Sequence, residues 1–482
     1  MSRCSARPRR RAAVHPAAAA AGGNIRNIQN TDQKTRAGAS PLWFFGPFFE
    51  GQQTKCEVIA VEQSNVLAVQ KRRVLAVCVA AYTVSYLLRT NLSLALEDLM
   101  EVLSIGRGQA GLVSTLYFWT YASGQLLGGW LSVKWDPKRV VALGLAASGL
   151  CNLAIGFCSG YWALAALWTV NGLALALFWP PILQITTNWF EPSEYLKVSI
   201  LLSLPTTLGY LVAWSGLGAV LRAAGWRWVF FCPAIIAFCF FWVWLRGLRS
   251  SPQAAGLCYR PASLAAPAKK DEPVGPRQRG SLVRAMLTLP MLSFAFVILA
   301  QGSTKESINL WAPTLLQQLA GPGQEGLVGL FTAVIPLFST AGLLATGWLV
   351  RRLHGGQEGA LLALTGAGAV CGWLLVALQN SLAGLVVCLG LLLGLVYGVT
   401  TILTTLLPLR FARTGQSAAF TGIFNFLAYV GAALGGALSG WVSDLRGWQQ
   451  VYLLWAALAT VSALALFVSE AWQYFSWRYL GH

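Results

Sequence analysis

The chain has 482 residues, of which 56% are hydrophobic and only 11% charged, with a mean hydropathy of +0.58 and a formal net charge of +18. Soluble domains average about 45–50% apolar and about 25% charged residues, so an ordinary soluble protein is excluded, and the apolar bulk excludes intrinsic disorder over most of the length. The solvent of such a chain is partly lipid, and at roughly 20 apolar residues per membrane helix there is room for about a dozen spans.

Residues 1–73 differ from the rest. They hold twelve of the 35 Lys and Arg against four acids, and no acid precedes Asp32. The opening MSRCSARPRRRAAVHPAAAAAGG has the Arg, Ala and Ser content of an organellar transit peptide and equally that of a disordered basic tail. From Val74 twelve apolar runs follow, at 74–96, 109–132, 139–158, 162–186, 198–221, 227–246, 288–318, 327–350, 359–378, 382–407, 415–442 and 449–469. The longest break, 247–287, carries Pro252, Pro261, Pro267, Pro273 and Pro276 with Lys269, Lys270, Arg277 and Arg279, and reads as a central linker. The expected architecture is an all-α membrane protein of twelve transmembrane helices in two six-helix halves, 74–246 and 288–470, with a tail at 471–482.

The remaining basic residues segregate. Sixteen fall on the side shared by the N-terminus, the linker and the even-numbered loops, among them Lys134, Lys138, Arg139, Lys197, Arg246, Arg351 and Arg352. Four fall opposite: Arg107, Arg222, Arg227 and Arg446. The positive-inside rule then makes both termini and the linker cytoplasmic, or stromal in a plastid membrane. The +18 is a tail plus a topology signal, and no nucleic-acid motif accompanies it. Ten cysteines form no CxxC pair, and His15, His354 and His482 lie outside the apolar runs, so no histidine metal centre and no cofactor is expected.

The two halves repeat each other. Arg89 and Lys305, the two basic residues deep inside spans, are 216 positions apart. Gly129-Trp130-Leu131 and Gly347-Trp348-Leu349 are 218 apart, and Gly225-Trp226 and Gly447-Trp448 are 222 apart. Six-plus-six parallel repeats with a site between the halves near the midplane describe a major facilitator transporter.

A charge at the bilayer centre costs at least about 2.5–3.5 kcal/mol, so Arg89 and Lys305 need a partner or a polar cavity. The repeat sets them at equivalent places in spans 1 and 7, able to face each other as two unpaired cations. A phosphate group carrying about −1.5 to −2 charges neutralises such a pair, with arginine gripping two oxygens and lysine acting as a point charge. Internal pairing or snorkelling is the plainer reading of either cation. Glu306 is turned about 100° around the helix from Lys305 and need not share its cavity; it reads as a structural partner of a neighbouring span or as a proton site. Helical spacing puts Tyr82 and Tyr86 on the face of Arg89, Gln301 and Asn309 on that of Lys305, and Thr421, Asn425 and Tyr429 on one face of span 11. Each could line a polar site or bond a neighbouring helix.

Four segments carry a resemblance. YTVSYLLRTNLSLALEDL (82–99), NGLALALFWPPILQITTNWFEPSE (171–194), STKESINLWAPTLL (303–316) and AAFTGIFNFLAYVGAALGGALSGWVSDLRGW (418–448) resemble spans 1, 4, 7 and 11 of the organophosphate–phosphate antiporters of the major facilitator superfamily. The resemblance implies a phosphate-binding arginine at Arg89 with tyrosines at Tyr82 and Tyr86, and a second cation at Lys305. It covers about residues 74–470. Thr90 stands where some members have lysine, Leu310 where they have aspartate before tryptophan, and Val133 where facilitators have an acid after span 2. Around Ser203–Gly209 of span 5, where some members have histidine or asparagine, only Ser203, Thr206 and Thr207 are polar.

The expected function is exchange of an organic phosphate for inorganic phosphate by alternating access, carried out by a monomer in a lipid bilayer. Proton-coupled symport of another organic anion through Glu306, and a sugar-phosphate sensor without flux, are the alternatives. An enzyme is not expected. Plastid envelope, endoplasmic reticulum and plasma membrane all stay open as the location.

Overall fold

The computed structural model describes residues 46–257, 287–320, 325–353, 356–408 and 417–479. Met1–Ala60 and Val61–His482 form two separate compact units, and the second carries the bundle. Its helices are α1 (Gly46–Leu103, which begins in the first unit), α2 (Arg107–Lys134), α3 (Pro137–Gly156), α4 (Tyr161–Ala176), α5 (Trp179–Trp189), α6 (Tyr195–Val212), α7 (Gly218–Ala224) and α8 (Trp226–Gly247). After the central segment come α9 (Leu289–Leu319), α10 (Glu325–Arg352), α11 (Gln357–Leu378), α12 (Leu382–Thr401), α13 (Ser417–Arg446) and α14 (Trp448–Tyr479). Pairs α4/α5 and α6/α7 each make one rod. The first is broken where Trp179-Pro180-Pro181 opens α5, a position that tolerates proline because the first turn needs no N–H partner. The second is joined by a π-turn at Ala213–Leu217.

Within the described residues α1 already runs from Gly46, ahead of the apolar run that starts at Val74. Pro47 sits in the first turn, and no proline follows within α1. The basic run Lys71–Arg73 changes the helix's solvent without ending it, because charge is compatible with helical backbone. Of the expected linker, Gln253–Ala255 forms a short 3₁₀ turn and 258–286 lie outside the described residues.

Ten rods among the described residues are long and apolar enough to cross a membrane. The two other long rods, α2 and α9, fall short on composition rather than length, at 28 and 31 residues. Gln301, Lys305, Glu306 and Asn309 lie within α9 and are mostly buried.

Packing repeats with the sequence offset. The contacts of α2 with α4, α3 with α4 and α3 with α8 recur as α10 with α12, α11 with α12 and α11 with α14. The halves meet along two seams, α2 against α13 and α6 against α10. Glycines set the first: a Cβ on Gly111 would lie 2.4 Å from the Gly436 carbonyl oxygen. Asp444 of α13 caps α2 across the seam, its carboxylate accepting from the backbone N–H of Arg107 (3.1 Å) and Gly108 (2.8 Å). A negative charge is favourable at a helix N-terminus. Nearby, Gln318 of α9 donates to Glu97 (2.9 Å) and accepts from Trp448 Nε1 (2.7 Å). The second seam is lighter, with the Thr207 and Thr340 hydroxyls hydrogen-bonded to each other.

Candidate substrate site

Arg89 is held from behind by amide side chains. Asn171 of α4 donates to the Leu88 carbonyl (3.0 Å), immediately before Arg89. Asn91 donates to Asn152 of α3 (2.7 Å) and to the Val229 carbonyl of α8 (3.2 Å). These side chains are buried, where an unmade hydrogen bond costs about 1–3 kcal/mol, so the network fixes the rotation of α1 against three neighbours.

In front, Arg89 enters an aromatic cage. Its guanidinium carbon lies 5.2 Å from the ring centres of Phe118 and Tyr121 and 5.8 Å from those of Tyr86 and Tyr117. Ring faces are electron-rich, and such contacts contribute about 0.5–2 kcal/mol each, more when desolvated. Lys305 has a thinner shell, one ring, Tyr397 of α12, at 5.5 Å from its ammonium. Tyr121 meets Tyr429 of α13 at 5.4 Å, closing the cage across the seam.

The cations converge on Glu306. Its Oε1 lies 3.4 Å from Arg89 Nη2 and 3.2 Å from Lys305 Nζ, and Asn309 Nδ2 stands 3.5 Å from Oε2. Glu306 is 6% exposed. This corrects the expectation of two unpaired cations, and it settles the orientation that helical spacing had left open: Glu306 faces their cavity. The 100° that separates neighbouring side chains on a helix is spanned here by the length of both, since the lysine stem brings its ammonium round to the adjacent carboxylate. The chamber thus holds two positive charges and one negative.

Of the other expected residues, Asn309 lines the chamber, Tyr86 meets the Arg89 guanidinium with its ring, and Tyr82 packs on Tyr86 (5.3 Å) and Trp179 (5.1 Å). Tyr429 reaches the site through Tyr121. Gln301 is buried one turn from Lys305 but does not line the cavity around Arg89 and Glu306, and Asn425 is exposed. The sequence reading missed Tyr117, Phe118, Tyr121, Tyr210, Tyr397 and Trp168. The i, i+4 spacing of Tyr117 and Tyr121 in a span rich in small residues was a usable signal. Span 5 contributes Tyr210, one residue past the window searched for polar groups.

The cavity at Arg89, Tyr117, Tyr210, Glu306 and Asn309 measures about 40 Å³, space for about one water. Larger cavities of about 500 Å³ (at Glu97, Asp98 and Arg222) and about 590 Å³ (at Lys71, Glu194 and Lys197) border neither Arg89 nor Lys305. Chemistry, not volume, marks the small one: Arg89 and Glu306 line it beside hydroxyl-bearing rings, and Lys305 pairs with that Glu306 carboxylate.

A twelve-rod bundle of two repeated halves around a buried charged chamber defines a secondary transporter. The chain matches the Major Facilitator Superfamily over residues 78–435 and belongs to it; it is a transporter-type protein and not an enzyme. The probable hexose phosphate transport protein of Chlamydia pneumoniae is 26% identical over 414 residues, covering 80% of this chain and 88% of the relative. The membrane sensor protein UhpC of Escherichia coli (strain K12) is 26% identical, covering 82% and 91%. The glycerol-3-phosphate transporter of Bacillus subtilis (strain 168) is 26% identical over the same shares. These relatives agree with the resemblance to organophosphate–phosphate antiporters. Among solved structures, a bacterial homolog of the human lysosomal transporter Spinster, in an inward-facing and occupied conformation, superposes with a TM-score of 0.67 at 13% identity, covering 83% of this chain and 97% of that one. That likeness concerns the fold alone.

Proposed function

We propose that the chain exchanges an organic phosphate, of the sugar-phosphate or glycerol-3-phosphate class, for inorganic phosphate by alternating access. The observation that carries this is the meeting of Arg89 and Lys305, one from each half, at a single carboxylate. A tetrahedral anion offers the same donors more oxygens than Glu306 does. Arg89 would bind two of them in its planar fork, and Lys305 would add charge from the other half. Binding then ties the halves together at the midplane, which favours rocking of the loaded carrier. With one carboxylate present, the unloaded chamber carries one net positive charge rather than two, so its return costs less and exchange is leakier. The names of the hexose-phosphate and glycerol-3-phosphate relatives support the substrate class. The distribution of Lys and Arg supports a cytoplasmic-side location for the linker and both termini.

The test is uptake of labelled glucose 6-phosphate into proteoliposomes loaded with inorganic phosphate. Wild type is expected to exchange the two, and Arg89→Ala and Lys305→Ala each to abolish it; exchange intact in both variants overturns the two-cation mechanism. Similarity to a membrane sensor protein supports a second reading, a binder that reports sugar phosphate without flux. Saturable binding with no uptake in the same liposomes selects that reading.

A further inference from the structure

We infer that the groove between α1 and α6, at the end of the bundle where Lys71 meets Glu194, is a binding site for an anionic phospholipid. The groove encloses about 590 Å³ and is separate from the substrate chamber. At its mouth stand Lys71, Arg72 and Lys197, and Glu194 is the one acid among the described residues that line it. Lys71 is held by Glu194 at 2.6 Å, while Arg72 and Lys197 are exposed. Three cations against one acid leave the mouth with two positive charges in excess. Both helices run from that mouth toward the chamber, where Arg89 and Tyr210 stand. Along the way the same faces turn apolar. Arg72 is followed by Leu75 and Val79 on α1, and Lys197 by Leu201 and Leu204 on α6, at the spacing that keeps side chains on one side of a helix. Seven residues separate Arg72 from Val79 and Lys197 from Leu204, about 10 Å of helix rise.

A groove that is charged at the mouth and apolar for about 10 Å below it matches an amphiphile. The headgroup phosphate would sit at Arg72 and Lys197, and the upper part of an acyl chain against Leu75, Val79, Leu201 and Leu204. A soluble sugar phosphate matches it poorly, because its hydroxyls would face those side chains without hydrogen-bond partners. A zwitterionic lipid brings an ammonium that offsets its own phosphate. The distribution of Lys and Arg supports a cytoplasmic-side position for this end, where basic segments meet anionic headgroups. A seated lipid bridges α1, which carries Arg89, to α6, which carries Tyr210 and the Thr207 contact with the other half. Its binding therefore braces two helices that line the chamber.

The full chain, purified in detergent, would be titrated with phosphatidylglycerol and separately with phosphatidylcholine of the same acyl chains. Bound lipid is counted by native mass spectrometry, and stability is read as the melting temperature. Phosphatidylglycerol should bind and raise the melting temperature, and phosphatidylcholine should do neither at the same concentration. Arg72→Gln with Lys197→Gln should weaken phosphatidylglycerol by about 10–30-fold, and Glu194→Gln, which leaves three charges in excess, should tighten it by about fivefold. Ala76→Trp fills the groove from an exposed position without altering its charge and should also weaken binding. Lys134→Gln with Arg246→Gln removes two cations outside the groove and should leave the affinity unchanged within about twofold, as no groove contact is lost. Equal binding of the two lipids by wild type overturns the inference even if a variant does not fold. So does a loss as large in the Lys134 and Arg246 variant as in the Arg72 and Lys197 variant, which makes the attraction one of diffuse surface charge. Undiminished binding by Ala76→Trp removes the acyl chain from the groove and overturns it too. A stabilisation by inorganic phosphate alone that equals that by phosphatidylglycerol, and that is lost in the Arg72 and Lys197 variant, replaces the lipid with a free anion.

Discussion

Arg89 and Lys305 occupy equivalent positions of two repeats, yet their surroundings differ. Arg89 is clamped by a buried amide network behind and four rings in front, whereas Lys305 has one ring and shares Glu306. Repeat symmetry thus fixes where a cation stands without fixing how tightly it is held. The N-terminal half supplies a preorganised grip, and the C-terminal half a more adjustable charge beside its own counterion.

Charge-conserving swaps test this asymmetry with the largest expected effect. Arg89→Lys should lower the transport kcat/KM by about 10–100-fold, because it loses a charge-assisted hydrogen bond worth about 1.5–3 kcal/mol. Lys305→Arg should stay within a few-fold of wild type; equal losses in the two would break the comparison. Next comes the seam that closes the cage. Gly111→Val forces a side chain onto the Gly436 carbonyl and should destabilise the bundle by about 1–3 kcal/mol, the usual range for overpacking, read as a lower melting temperature in detergent. Tyr121→Ala should weaken substrate binding by about 2–30-fold from the lost ring contact, with Tyr121→Phe recovering most of it, since the ring face and not the hydroxyl meets Arg89.

The smallest effect belongs to a half-buried pair, Lys71 and Glu194, 2.6 Å apart at one end of the bundle. Burial opposes ionisation of Glu194, but the Lys71 ammonium and the Glu191 backbone N–H outweigh it and hold the carboxyl below its ordinary range. A depressed carboxyl stabilises the fold above its unfolded pKa and loses that contribution as pH falls through the folded value. Glu194→Gln should therefore cost about 0.2–1 kcal/mol at pH 7, the range of ion pairs still reached by solvent, and the difference from wild type should shrink to nothing well below pH 4. A cost exceeding that of Gly111→Val would reverse the expected order.

Most of the fold was legible in the sequence because lipid imposes a length and a composition on each span, and because three landmarks recur at offsets of 216 to 222 residues. The two central cations were legible for the same reason, as their apolar flanks make them conspicuous. Less visible were side chains whose type is ordinary in a membrane bundle. Tyr117, Tyr121, Tyr210 and Tyr397 look like any aromatic residue until helices from both halves bring them to one point. Asn425 failed in the opposite way: it shares a helix face with Tyr429 in the sequence and is exposed in the fold.

Local pattern, then, determined the spans, the repeat and the identity of the two buried cations, since hydropathy and charge are properties of short segments. Tertiary structure alone decided which charge meets which. Glu306 is bonded in sequence to Lys305, but its place between Arg89 and Lys305 depends on two helices more than 200 residues apart and on the reach of three long side chains. That contact turns a doubly positive chamber into a singly positive one.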